Sequence, residues 1–195
     1  GASATTAERA AQFLAEGAVL GAYRFDRYLT GDKKKPFTVE EVKLVATPDN
    51  VDGARLEALK RGTQRGEQVA AGVALARDLI NEPAGDLTPT KMAEVAQKVA
   101  KQHGLELKVL GPKECQKLGM GMYLAVSQGS DEEPRFIHLS YKPKGKTPSK
   151  KKIALVGKGV TFDSGGLSLK PSSAMEDMKI DMSGAAAVIS AIGVL

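Results

Sequence analysis

Residues 153–184 read IALVGKGVTFDSGGLSLKPSSAMEDMKIDMSG. Ile153, Ala154, Leu155 and Val156 form a short apolar run between Lys152 and Gly157, the composition expected of a central strand covered on both faces. At the other end an apolar helix is expected to begin at Ser183 or Gly184, carrying Ala186, Val188, Ile189, Ile192 and Leu195. Open α/β sheets take their ligands beyond the carboxyl ends of such strands. Four of the charged groups between the strand and the helix, Lys158, Asp163, Lys170 and Asp181, are therefore the first place to look for chemistry.

The elements upstream have the same alternating character. Leu56, Leu59, Val69, Val73, Leu75, Leu79 and Ile80 predict a long helix over 53–81, ended by Glu82, Pro83 and Gly85 and long enough to bridge two domains. Thr88 and Pro89 have the form of an N-cap and first helical position, and Met92, Val95, Ala96, Val99 and Ala100 follow with a period near 3.6 until Gly104. Leu105, Leu107 and Val109 alternate as a strand. Residues 112–118 make a short helix stopped by Gly119, and 122–126 and 135–141 are expected to be further strands. Helices alternating with strands predict an α/β fold with at least partly parallel order. Nearer the start, a helix is expected over 6–29, weakened by Gly17 and Gly21, then a strand over 39–46. One helix and one strand cannot cover both their apolar faces, so this stretch has the form of the tail of a domain.

The 195 residues are 42% hydrophobic and 26% charged, values of an ordinary globular chain, which exclude disorder and fibrous repeats. The charge-free stretch 182–195 is shorter than the about 18 residues a spanning helix needs, so no membrane segment is expected. Residues 1–7 lack the basic start and apolar core of a secretory signal, and Glu8 argues against an organellar presequence. The net charge of +5 is concentrated in Lys33, Lys34 and Lys35 and in Lys142, Lys144, Lys146, Lys150, Lys151 and Lys152, the latter broken by Pro143, Gly145 and Pro148. Sparse aromatics and the lack of a nucleic-acid motif favour solvated loops over a nucleic-acid contact. The single cysteine, Cys115, forms no internal disulfide and fits a reducing compartment; it is expected to pack a short helix.

Phosphate-loop chemistry fails on inspection, because Gly159 follows Lys158 and Ser140 stands where the Gly145-Lys146-Thr147 segment would need glycine. Ser164 lacks the setting of a nucleophile elbow, and His103 and His138 fall at a helix end and in a strand, where structural roles suffice. The acidic and basic groups of 157–184 remain. Lys158, between two glycines just past the apolar run, either snorkels outward or pairs with a carboxylate, or else loses its proton and offers an amine to a metal or substrate. Asp163 stands before Ser164, Gly165 and Gly166, small residues that allow a tight turn and leave its carboxylate open to a ligand. Asp181 either caps the following helix, a role Ser183 shares, or supplies a hard oxygen to a divalent ion.

Lys158, Asp163, Lys170 and Asp181 are spaced by five, seven and eleven residues. With Phe162-Asp163-Ser164-Gly165-Gly166 and Asp181-Met182-Ser183-Gly184-Ala185-Ala186, they resemble the metal-site signature of the leucine aminopeptidase, or cytosol aminopeptidase, family. Asn81-Glu82-Pro83-Ala84 and Leu87-Thr88-Pro89 also resemble that family's entry into its catalytic domain. The resemblance covers residues 55–195 clearly and the start weakly. It implies a dinuclear-metal exopeptidase that releases N-terminal residues, preferably leucine and other apolar ones. Lys158 as a neutral amine and Asp181 would ligate one ion, Asp163 would bridge two, and a protonated Lys170 would polarise the substrate carbonyl.

Two divalent ions (zinc, manganese or magnesium) and a bicarbonate base are implied as cofactors, with a peptide bearing a free N-terminus as substrate and a homo-hexamer as the assembly. The resemblance further implies the first part of a catalytic domain on a mixed, largely parallel sheet flanked by helices (83–195). It would be preceded by a connecting helix (53–82) and by the remnant of a smaller α/β domain (1–52). The family's downstream Asp, Glu and Arg motif falls outside these residues. The final helix ends in apolar residues without a cap, so the chain is expected to be a piece of a longer enzyme, and without that downstream motif it is expected to be inactive alone. The alternative is a non-catalytic scaffold or nucleic-acid-associated member of the same fold. The expected location is the cytoplasm, with the plastid stroma as the alternative.

Overall fold

The computed structural model describes residues 4–34, 39–45, 52–143, 145 and 151–195. Two compact units divide the chain, Gly1–Ala74 and Leu75–Leu195.

In the first unit, α1 (Ala4–Gly21) packs on the N-terminal part of α2 (Gly53–Asn81) along a seam of small residues. Ala7, Ala11 and Ala15 recur every fourth position on α1, and Ala58, Gly62, Gly66 and Ala70 do the same on α2. A side chain at Gly62 or Gly66 would meet the carbonyl oxygens of Glu8 and Gln12, so the two backbones touch directly. Arg61 and Glu8 pair across the seam at 2.9 Å. The helix expected over 6–29 stops at Gly21, where weak helix formers leave the chain to a turn closed by Leu29 N–H and the Asp26 carbonyl. The strand expected over 39–46 is not formed over 39–45; residue 46 lies outside the described residues. No described strand lies beside it to satisfy its backbone, and Val45 is fully exposed to water. Lys33 and Lys34 end a short 3₁₀ turn, while Lys35 lies outside the described residues.

The second unit begins with the last two turns of α2 and continues with α3 (Pro89–His103), β1 (Glu106–Leu110), α4 (Pro112–Lys117) and α5 (Gly121–Ser127). After these come β2 (Phe136–Ser140), α6 (Ser172–Met175) and α7 (Ser183–Ile192). Thr88 caps α3 through Lys91 N–H, and Gly104 ends it in the left-handed conformation, φ 65°, as the sequence predicts. Leu79, Leu87, Met92, Ala96, Val99, Met182, Ala186 and Ile189 form the core. Leu105, Leu107, Ile137 and Leu139 close it from one face of the strand pair. Helix α3 thus lies between the sheet and α7. Cys115 is fully buried on α4.

The α/β class holds, but the one strand pair among the described residues is antiparallel: β1 lies beside β2 with Leu107 opposite Leu139 and Val109 opposite Ile137. Residues 122–126 are helical rather than extended. Coiling puts the Tyr123 ring edge-on to Phe136 at 5.8 Å while Met122 and Val126 face water, a one-sided burial that a short apolar run cannot reveal by period alone. Residues 153–156 do not form the expected strand either. They have no neighbouring strand among the described residues, and Ile153 and Val156 are 90% and 93% exposed. Of the second lysine run, Lys142 pairs with Glu106 at 2.6 Å; Lys144, Lys146 and Lys150 lie outside the described residues. No described helix is long and apolar enough to cross a membrane.

Candidate active site

The segment after Val156 is laid directly on the start of α7. Ala185 N–H donates to the Lys158 carbonyl at 2.8 Å, and a Cβ on Gly184 would stand 2.7 Å from the Lys158 nitrogen. A Cβ on Gly157 would collide with the Gly184 carbonyl. Only glycine at both positions lets two backbones meet here, and the meeting brings Lys158 beside Asp181, 23 positions later in the sequence.

Lys158 Nζ donates to Asp181 Oδ1 at 2.8 Å and stands 2.7 Å from Oδ2. The ammonium thus faces both oxygens of the carboxylate. The Asp181 hydrogen bond pushes the Lys158 pKa above its ordinary value, and the charges of Asp181 and Asp163 add to this against partial desolvation. Asp181 does not cap α7, and nor does Ser183. Met182 occupies the cap position without a side-chain bond, and Ser183 Oγ donates backwards to the Ile180 carbonyl. The Asp181 carboxylate is thereby left to Lys158.

Asp163 sits in a loop closed by Lys170 N–H on the Ser164 carbonyl, 2.9 Å, with Gly165 at φ 95°. Its Oδ1 accepts from Gly165 N–H at 2.9 Å, and its Oδ2 lies 2.9 Å from Lys170 Nζ. The Lys170 hydrogen bond, followed by that of Gly165, holds the Asp163 pKa below the ordinary carboxylate range. Lys170 also donates to the Asp163 carbonyl and to Met178 Sδ, each at 3.2 Å, which fixes the ammonium on three sides.

All four residues singled out in the sequence therefore gather in two adjoining ion pairs, with the Lys158 charge felt at Asp163. Among the described residues no three His, Cys, Asp or Glu side chains form a metal cluster; what Lys158, Asp163 and Asp181 offer is two carboxylates and a lysine amine. That set suits a hard divalent cation. The carboxylates of Asp163 and Asp181 are hard oxygen donors, and Lys158 becomes a donor once its proton is released. Two neighbours carry no signal in the sequence pattern: Met178, whose sulfur meets Lys170, and Lys179, whose Nζ reaches the Asn81 carbonyl. Both lie in the 3₁₀ turn Met178–Ile180, which has too few residues to show a period.

Comparison with known proteins gives this geometry a family. The sequence profile of the cytosol aminopeptidase family, catalytic domain, matches residues 74–195. A probable cytosol aminopeptidase of Chlorobaculum tepidum is 49% identical over 95% of this chain, and one of Alkaliphilus oremlandii is 44% identical over 96%. The chain spans 37% and 36% of those relatives' lengths. Among solved structures, the bottromycin maturation enzyme BotP in complex with Mn superposes with a TM-score of 0.75 at 42% identity. That match covers 95% of this chain and 36% of the other. The chain belongs to the cytosol aminopeptidase family.

Proposed function

We propose that this chain is part of a divalent-metal aminopeptidase that removes N-terminal residues, leucine and other apolar ones by preference, from peptides. The observation that carries the reading is the Asp181 carboxylate. It is mostly buried and gripped by the Lys158 ammonium, which stands 2.8 and 2.7 Å from its two oxygens, and it follows the Asp163–Lys170 pair by eleven positions in the sequence. Lys158, Asp163 and Asp181 would be the residues that hold the ions. Divalent ions bound there supply Lewis acidity and make water a stronger nucleophile at neutral pH.

The chain's own residues contribute position and charge. The Lys170 ammonium, steered by Asp163 and Met178, can donate a hydrogen bond to the substrate carbonyl oxygen as negative charge builds on it. Asp163, held below the usual carboxylate range, stays ionised throughout the neutral range. Lys158, Asp163 and Asp181 are too few ligands for two ions, so these 195 residues alone are proposed to be inactive. The family's acidic and arginine motif, a bicarbonate base and a hexameric assembly would complete the enzyme in the full-length protein. The domain boundaries at 52 and 82 and a cytoplasmic location belong to the same proposal.

The test is hydrolysis of leucine p-nitroanilide by the full-length protein. The reading expects activity that a chelator abolishes and Mn²⁺ restores, and that Lys170→Ala lowers by about 10²–10³-fold, the effect of deleting one oxyanion donor. Chelator-insensitive activity, or none with any divalent ion, would overturn it.

A further inference from the structure

We propose that Lys179 is a positioning residue for the metal site: it latches the turn that presents Asp181 onto the carboxyl end of α2. The proposal rests on the metal-binding reading above. The last carbonyls of any helix lack partners within it and carry partial negative charge. Asn81 closes the 29-residue α2, and the Lys179 ammonium donates to its carbonyl oxygen at 2.9 Å from 98 positions away. That bond is partly buried, unlike the solvent-facing lysine pairs elsewhere in the chain.

Lys179 is the middle residue of the 3₁₀ turn Met178–Ile180, and Asp181 is the residue that ends this turn, its N–H bonded to the Met178 carbonyl. On the other side of Asp181, Met182 is fully buried in the core that contains Leu79 of α2. Asp181 is thus gripped from both directions, by a polar latch two residues before it and an apolar plug one residue after. Both anchors refer it to the same end of α2 and to α7. The latch also occupies the third ammonium of the segment with a backbone carbonyl, so Lys179 does not compete with Lys158 for Asp181. The same turn carries Met178 to Lys170, so loosening it would disturb both ion pairs.

The experiment uses the full-length protein and titrates Mn²⁺ by isothermal calorimetry, beside kcat and KM for leucine p-nitroanilide. Lys179→Met keeps the length and removes the donor. It is expected to weaken Mn²⁺ about 10-fold, the lower end of the effect of losing a group bonded directly to a metal ligand because Lys179 acts on Asp181 through the turn, and to lower kcat more than it raises KM. Lys179→Arg, which can still reach the carbonyl, is expected to restore binding. Wild-type affinity in Lys179→Met overturns the latch and leaves the aminopeptidase reading standing, whereas a wild-type protein that binds no Mn²⁺ overturns both. If Lys179→Met does not fold, Lys179→Leu, which also lacks a donor, takes its place with the same loss of Mn²⁺ affinity expected and the same wild-type affinity overturning the latch; failure of both to fold would contradict a local positioning role.

Discussion

Lys158 carries two opposing demands at one nitrogen. Asp181 raises its pKa, so its proton is held more firmly than in a free lysine, yet an amine can ligate a metal only without that proton. Metal uptake must therefore release a proton, and Mn²⁺ affinity is predicted to fall as pH falls. Calorimetry in two buffers of different ionisation enthalpy reads this directly, and uptake without proton release would count against Lys158 as a ligand. Asp163 shows the opposite sign. Its pKa is depressed in the folded chain, so its contribution to stability is present above the ordinary carboxylate range and is lost as pH falls through the depressed value. Asp163→Asn should remove that acid-side loss from a pH series of thermal melts. Because the group is solvent-accessible, the effect should be small and should shrink with added salt. The four charged residues were legible in the sequence because their spacing is a signature. Their pairing was not, since nothing in the order of residues says which lysine meets which carboxylate.

At the scale of elements, legibility followed local chemistry. Helix α3 could be read to the residue because both of its ends are set by side chains within one turn, Thr88 at the start and Gly104 at the close. Thr88→Ala is predicted to cost about 1 kcal/mol in urea unfolding. The strands were less legible, because an extended segment is defined by its neighbours. Residues 135–141 find β1, whereas 39–45 and 153–156 find no strand among the described residues. Residues 122–126 show a different failure, since an apolar run of five residues suits a one-sided helix as well as a buried strand. The close crossing of Gly157 and Gly184 was also hidden, because glycine reports freedom and not what lies opposite. Gly184→Ala would press a methyl group against the Lys158 backbone and is predicted to cost about 1–3 kcal/mol of stability. It should weaken Mn²⁺ binding as well, by separating Lys158 from Asp181.

For the whole molecule, the exposed apolar residues and the short match to relatives point the same way. Ile153, Val156 and Leu167 stand almost fully in water beside the site, more than a globular chain ordinarily leaves uncovered in one segment. The chain also spans little more than a third of its relatives' lengths. The 195 residues alone are predicted to bind a hydrophobic dye and to show no leucyl hydrolysis with Mn²⁺, while the full-length protein does the reverse on both counts.

The most direct test is a crystal structure of the full-length protein grown with Mn²⁺, with the metal located by its anomalous scattering. The account predicts anomalous density in contact with Lys158 Nζ and the carboxylates of Asp163 and Asp181, with Lys170 Nζ nearby but outside the coordination shell. Density at some other place, with these side chains still closed on one another, would contradict it.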